Sequence, residues 1–261
     1  MPGPRVLTSA LRCLALLERV AESSTSVGVS ELARELGVGR GTVHQQLSTL
    51  VAAGWVEQMD GGRYRLTLRA TRLGYHALEQ ANLGQRIRPS LEALAAATSL
   101  AVSLAVLDDG EALIVQRVES GQILRIGLGV GVRMPLVTSA SGRVLVAFSP
   151  DEQVAALRER GVPLPAADII ERIRREGVAI SKDEYLEDIV AVAAPVFDMA
   201  GHLLAALSVA GLSSKFEEEP TVTHVHAAAA EVNGILGGHW PGLPKASSPV
   251  RTGLADQLSM G

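Results

Sequence analysis

The stretch Ser30-Glu31-Leu32-Ala33-Arg34-Glu35-Leu36-Gly37-Val38-Gly39-Arg40-Gly41-Thr42-Val43-His44-Gln45-Gln46-Leu47 decides how the first third of the chain folds. Leu32, Ala33 and Leu36 recur at helical spacing, with Glu31, Arg34 and Glu35 turned outward and Ser30 as the expected cap. Gly37-Val38-Gly39 interrupts the pattern, and a second helix over 40–53 follows with Val43, Leu47, Leu50 and Val51 as its expected buried stripe. Two short amphipathic helices joined by a glycine-bearing turn read as a helix-turn-helix.

The flanks extend that reading. Upstream, Leu7, Leu11, Leu14, Leu16, Leu17 and Ala21 predict a helix over 7–21, closed by the polar run Glu22-Ser23-Ser24-Thr25-Ser26. Downstream, 55–58 and 63–66 read as two strands around Asp60-Gly61-Gly62, a turn whose glycines supply the backbone freedom a hairpin needs. Helix, helix-turn-helix and hairpin together predict a winged form. Its second recognition helix exposes Arg40, Thr42, His44, Gln45 and Ser48, groups that reach base edges and phosphates. Arg63 and Arg65 on the hairpin are expected to track the backbone of a duplex. The competing reading, a merely solvated helix face, has to explain four concordant signals at once.

Composition is compatible with this. Residues 1–72 hold nine Arg against six carboxylates, whereas the whole chain carries a net charge of −4, so the two parts differ in sign. Aromatic residues are 3% of the chain, which leaves little stacking surface for single-stranded nucleic acid. No apolar run reaches the 18 or more residues of a membrane span, and Arg5 and Arg12 break up the N-terminus, so neither a span nor a signal peptide is expected. The single cysteine, Cys13, excludes a disulfide framework and a thiolate cluster, and the expected compartment is the cytoplasm.

Beyond the winged region the pattern changes. Residues 70–82 extend as a linking helix and 85–98 as another. Strands are expected at 101–107, 112–117, 123–126, 178–181, 189–196 and 203–210, and helices at 139–147, 151–160, 169–175 and 221–236. Strand runs with flanking helices predict an α+β domain with a largely antiparallel sheet. Ser139-Ala140-Ser141-Gly142 opens a helix after an extended segment, so unpaired amides and hydroxyls converge there as an anion site. Ser139 as a simple helix cap and Ser208 as an ordinary strand residue remain the alternative.

These landmarks resemble the IclR family of regulators. Ser30-Glu31-Leu32-Ala33-Arg34, Thr42-Val43-His44 and Arg63-Tyr64-Arg65-Leu66 carry the resemblance in the first third. Leu104-Ala105-Val106-Leu107-Asp108-Asp109-Gly110, Val115-Gln116-Arg117-Val118-Glu119-Ser120, Arg133-Met134-Pro135-Leu136 and Ala140-Ser141-Gly142-Arg143 continue it. Val192-Ala193-Ala194-Pro195-Val196 and Leu207-Ser208-Val209-Ala210-Gly211 complete it. The departures are Gln45 where the family often has Arg, Asp188-Ile189 for its usual Gly-Val, Ala191 where many members carry a cysteine, and a divergent 160–170.

The resemblance implies a DNA-binding domain over 1–69, a linker helix over 70–82 and a GAF-like effector-binding, oligomerising domain over 83–237. The Pro-, Gly- and Ser-rich 238–261 is expected to be a disordered tail. It further implies an effector pocket lined by Ile123, Ile126, Ser139, Ala140, Ser141, Ser181, Ala191, Ser208 and Ala210. That set holds no Arg, Lys or His, so an effector carboxylate or other oxyanion is expected at the helix opening at Ser139. The expected partners are a pseudo-palindromic operator, probed by a homodimer or dimer of dimers acting as a repressor, and a small organic acid or aromatic effector. No cofactor and no metal are expected: His224 and His226 are two apart and share no helix face. A purely oligomerising C-terminal domain is one alternative. A GAF-like enzyme is another, but a thiol-based one lacks cysteines after residue 13.

Overall fold

A computed structural model describes residues 6–23, 25–119 and 128–238. The expected strand at 123–126, with Ile123 and Ile126, and the expected tail from 239 onward lie outside the described residues. The chain divides after Ala81 into two compact units.

The first unit runs α1 (Thr8–Glu22), β1 (Val27–Gly28), α2 (Val29–Leu36), α3 (Arg40–Ala52), β2 (Val56–Gln58), β3 (Arg63–Leu66) and α4 (Arg69–Gln80). Leu16, Val20, Leu32, Val43, Leu47 and Val56 form its aliphatic core, with Tyr64 filling the side nearest the wing. The α2–α3 turn works because Gly37 takes φ 64°, where a side chain would be strained, and donates its N–H to Ala33 O. The wing is a three-stranded antiparallel sheet ordered β1-β3-β2, with a 3₁₀ turn at Asp60–Gly62.

Two local expectations are corrected. Ser30 does not cap α2: the helix begins at Val29 with Gly28 as its cap, and the Glu31 carboxylate accepts the Gly28 N–H at 3.0 Å instead. Val51 is 38% exposed, because the core-facing stripe of α3 ends at Leu50. In α1 only Leu16 and Val20 are buried, while Leu11 and Leu14 are each 55% exposed. The strand β1, two residues long, was too short for a period-2 signal to appear.

The second unit holds α5 (Arg88–Thr98), β4 (Ala101–Asp108), β5 (Glu111–Val118), β6 (Arg133–Met134), α6 (Ala140–Phe148), α7 (Asp151–Glu159), α8 (Ala167–Glu176), β7 (Ala179–Lys182), β8 (Ile189–Phe197), β9 (Leu203–Leu212) and α9 (Glu218–Leu236). Its six strands are ordered β6-β5-β4-β9-β8-β7, and every pairing is antiparallel. One face carries Val102, Leu104, Val192, Leu207 and Val209, which are buried on the side of α5 and α9. The buried side chain of Asn233 accepts the Phe197 N–H at 2.7 Å and so pins α9 to the sheet.

The other face, under α6, carries smaller residues: Ala105, Ala112, Ala193 and Ala206. The N-terminus of α6 comes very close to the segment before it. A Cβ at Gly142 would sit 2.5 Å from Leu136 Cα and 2.6 Å from Pro135 O, both backbone atoms that do not yield easily. Gly142→Ala is therefore expected to destabilise the second unit by about 1–3 kcal/mol or more. Urea titration should show the second unit's transition moving to lower concentration while the first unit's stays in place.

Candidate functional site

Two surfaces carry the residues singled out by sequence. On the first unit, Arg40, Thr42, His44, Gln45 and Ser48 are all exposed along α3. Arg40, His44 and Ser48 follow one another at i, i+4 and share a row, with Gln45 beside them. Ser48 donates its hydroxyl to His44 O at 2.9 Å, which leaves its oxygen to accept. The helix contains no carboxylate, so nothing on it repels a phosphate.

The two wing arginines part ways. Arg65 stays on the surface, paired across the hairpin with Glu57 at 2.6 Å. Arg63 keeps 43% of its side chain exposed and is also tied to the protein. It donates Nε to Ser26 Oγ at 3.0 Å, Nη1 to Glu31 Oε1 at 3.2 Å and Nη2 to the Ser26 carbonyl. Its work is to brace β3 against the start of α2. Sequence offered no sign of this, since Glu31 and Arg63 are 32 residues apart. Arg69 caps the other side of the hairpin, its guanidinium 4.9 Å from the Trp55 ring centroid.

The Glu31 carboxyl is held below its ordinary value of 4.5, first by the Gly28 N–H and then by Arg63. A depressed carboxylate contributes stability that is complete above the ordinary value and fades as pH falls through the lowered one. Acidification below 4.5 should therefore loosen α2 and β3 in the native chain. In Glu31→Gln that loss is expected to be smaller, and hydrogen exchange at α2 and β3 across this pH range checks it.

The second surface is a cavity in the second unit, under α6. Ser139, Ala140, Ser141, Ser181, Ala191, Ser208 and Ala210 all line it. They arrive from α6 and its cap, β7, β8 and β9, and the strand registers explain the meeting. Ser103 pairs with Ser208, and Ser208 with Ala193, in one row across the sheet. Ala101, Ala210, Ala191 and Ser181 form the next row. Serine and alanine at the middle of a sheet leave empty space where valine would fill it.

At the helix end, Ser139 accepts the Gly142 N–H at 3.0 Å and donates to Pro135 O at 2.6 Å, so it is a true cap. The amides of Ala140 and Ser141 and the buried Ser141 hydroxyl have no partner among the described residues. Ser181 donates to Thr138 O, and Ser208 makes a long contact of 3.4 Å to Ser103 O.

One expectation about the cavity is overturned: it does contain a cation. Arg117 lines it, together with Ser103, Ile114, Met134, Tyr185 and Ile189, none of them assigned to the pocket from sequence. A bulge is responsible. Between Leu104–Gln116 and Ala105–Ile114 the β4–β5 register skips Val115, so Ile114 and Arg117 share the cavity face although they are three apart. Alternation alone would have separated them. Burial, and secondarily Glu111, pushes the Tyr185 hydroxyl's pKa above its ordinary value, keeping it a neutral donor at the rim.

Among the described residues no group of three His, Cys, Asp or Glu side chains is placed to hold a metal ion. His226 is half-buried and its pKa is lowered by burial, while His224 sets its ring nitrogen 2.8 Å from Pro220 O. No helix among them is long and apolar enough to cross a membrane.

Comparison with known proteins finds a match for each of the two units. Residues 9–60 match the IclR helix-turn-helix domain, and residues 75–234 match the bacterial transcriptional regulator IclR C-terminal domain. The acetate operon repressor of Salmonella typhimurium is 31% identical over 88% of this chain and 90% of its own length. The structure of Pseudomonas aeruginosa HmgR, 28% identical, superposes with a TM-score of 0.75 over 89% of this chain and all of that one. An IclR homolog from Microbacterium hydrocarbonoxydans, solved with 4-hydroxybenzoate, has the same fold with a TM-score of 0.74 at 23% identity, covering 87% and 98% of the two chains.

Proposed function

The chain belongs to the IclR family of bacterial transcriptional regulators, and from that premise we propose that it is a repressor whose hold on its operator is set by a small organic acid or aromatic metabolite. Regulators of this family bind DNA through the helix-turn-helix and are not enzymes. The observation that supports the finer reading best is the convergence of serine and alanine side chains from α6, β7, β8 and β9 on one cavity. Such a cavity, mostly apolar with a few hydroxyls, suits a small ligand rather than a macromolecule. The aromatic acid bound by the Microbacterium homolog supports the choice of ligand class.

On the DNA side, α3 enters the major groove with Arg40, His44, Gln45 and Ser48 toward the bases, and Arg65 follows the backbone. One such module buries too little surface for tight specific binding, so a dimer on a pseudo-palindromic site is required. Exposed Leu11 and Leu14 of α1 and Leu73 and Tyr75 of α4 support an apolar dimer contact. The repressor acts on the chromosome, in the cytoplasm, as a dimer or dimer of dimers, and needs no cofactor.

Two substitutions test the DNA contacts. Gln45→Ala should relax preference at one base pair, worth about 1–3 kcal/mol of discrimination. Arg65→Ala should weaken all duplexes alike and flatten the salt dependence. Titrations of operator and scrambled duplex at two salt concentrations decide, and unchanged binding in both variants overturns the assignment. Leu11→Glu with Leu14→Glu should yield monomers by sedimentation, with operator affinity lost.

The effector site is tested by filling it. Ser141→Leu should remove the response to 4-hydroxybenzoate and related acids while operator binding persists, because a ligand shifts DNA affinity only through its unequal binding to two arrangements. A wild-type response in that variant places the effector elsewhere.

A further inference from the structure

Arg117 is the only cationic side chain among the described residues that line the cavity. Its side chain is 5% exposed, yet its charge partner Glu119 remains 49% exposed. Nη1 donates to Ser103 Oγ at 3.0 Å, Nε donates to Glu119 Oε1 at 2.6 Å, and Nη2 reaches Glu119 Oε2 at 3.4 Å. The pairing is thus lopsided, with one short bond and one long one.

The other buried arginine on this face makes the contrast. Arg143 donates to two backbone carbonyls besides its carboxylate, so its position is fixed by the main chain. Among the described residues Arg117 has no carbonyl partner, and its partners there are a serine hydroxyl and a half-solvated glutamate. Glu119 lies just past the end of β5 and keeps good access to water, so releasing it costs far less than burying a new charge would. A guanidinium fork fits a carboxylate in two-point fashion, which neither a lone hydroxyl nor an amide dipole can match.

We propose that Arg117 is the residue that selects the effector by its charge, and that Glu119 is a built-in competitor occupying the same guanidinium until an effector carboxylate displaces it. This rests on the reading of the cavity as the effector site and adds a chemical class: monoanionic carboxylates whose acid group lies against Arg117 and Ser103. The unpartnered Ser141 hydroxyl on the opposite wall takes a second polar atom of the same molecule. Affinity for such acids is accordingly held down by a carboxylate of the protein's own, and neutral analogues gain nothing from entering.

The test is calorimetric titration of the full-length chain with benzoate, butyrate and glycolate, each beside its primary amide. At least one acid is expected to bind well ahead of its amide. Glu119→Gln should tighten that acid roughly three- to tenfold, since a half-solvated competing carboxylate is removed from Arg117, and leave the amide unchanged. Arg117→Lys keeps the charge but loses the fork, and should weaken the acid roughly tenfold or more. Arg117→Gln combined with Glu119→Gln leaves no orphaned charge, so it should fold and should bind acid and amide alike. The proposal is overturned if no acid binds the Glu119→Gln chain, if Glu119→Gln leaves acid affinity unchanged or weaker, or if the acid preference survives in the double variant. Ser141→Leu separates this from the underlying reading. Loss of acid and amide binding together in that variant, with no charge preference in the wild type, removes the role of Arg117 and keeps the cavity. Binding that ignores Ser141→Leu removes both.

Discussion

The guanidinium of Arg143 holds the second unit's functional half together. It is buried in the first turn of α6 and donates to Val137 O at 2.7 Å, Ile180 O at 2.8 Å and Glu184 Oε1 at 2.8 Å. Three separate pieces of chain, the turn before α6, strand β7 and the loop after β7, are thereby fixed to one side chain. Glu184 is partly solvated, so the ion pair is screened and the two carbonyl bonds carry the larger share. The arrangement also depends on Gly142 next door, since only a residue without Cβ lets α6 start so close to Leu136. Each of these segments contributes a wall of the cavity.

The loop held by Glu184 is itself kept in an uncommon conformation. Asp183 and Asp188 bracket it with φ of 57° and 60°, a region that aspartate tolerates better than most residues. Asp183 donates its N–H to Ile189 O at 2.9 Å and accepts from Ser213 Oγ at 2.9 Å, and the Ser213 N–H reaches Asp188 O at 2.8 Å. This closes the loop on itself and sets Tyr185 and Leu186 at the cavity. The departure Asp188-Ile189 is thus compatible with the fold: Asp188 takes the left-handed position and Ile189 supplies an apolar lining group.

Much of this was legible in the chain because it is written in local patterns. The 3.6-residue period found the helices, the Gly37 turn was marked by its glycine, and Ser139 was recognisable as a cap. Ser139 both caps α6 and lines the cavity. What stayed hidden is non-local. Arg63 with Glu31 and Arg143 with Glu184 join residues 32 and 41 positions apart, and no spacing rule connects them.

Arg117 is the most instructive of the hidden residues, because the strand carrying it was correctly placed. A regular strand would alternate its side chains, and the bulge at Val115 breaks that alternation at one point. Past the bulge, Gln116 faces the other way and donates Nε2 to the carbonyls of Leu83 and Gly84, the first residues of the second unit after Asn82. Neighbouring residues of β5 thus touch the cavity on one face of the sheet and the incoming chain on the other. Any displacement of the strand that follows from a change of partner at Arg117 acts directly on those two bonds. Strand β5 is also near the edge of the sheet, where only the two pairs to β6 lie outside it. The bulge interrupts its otherwise continuous pairing with β4 at that one point. A cavity-lining side chain and the hold on the segment at 83–84 therefore sit on adjacent residues of one strand.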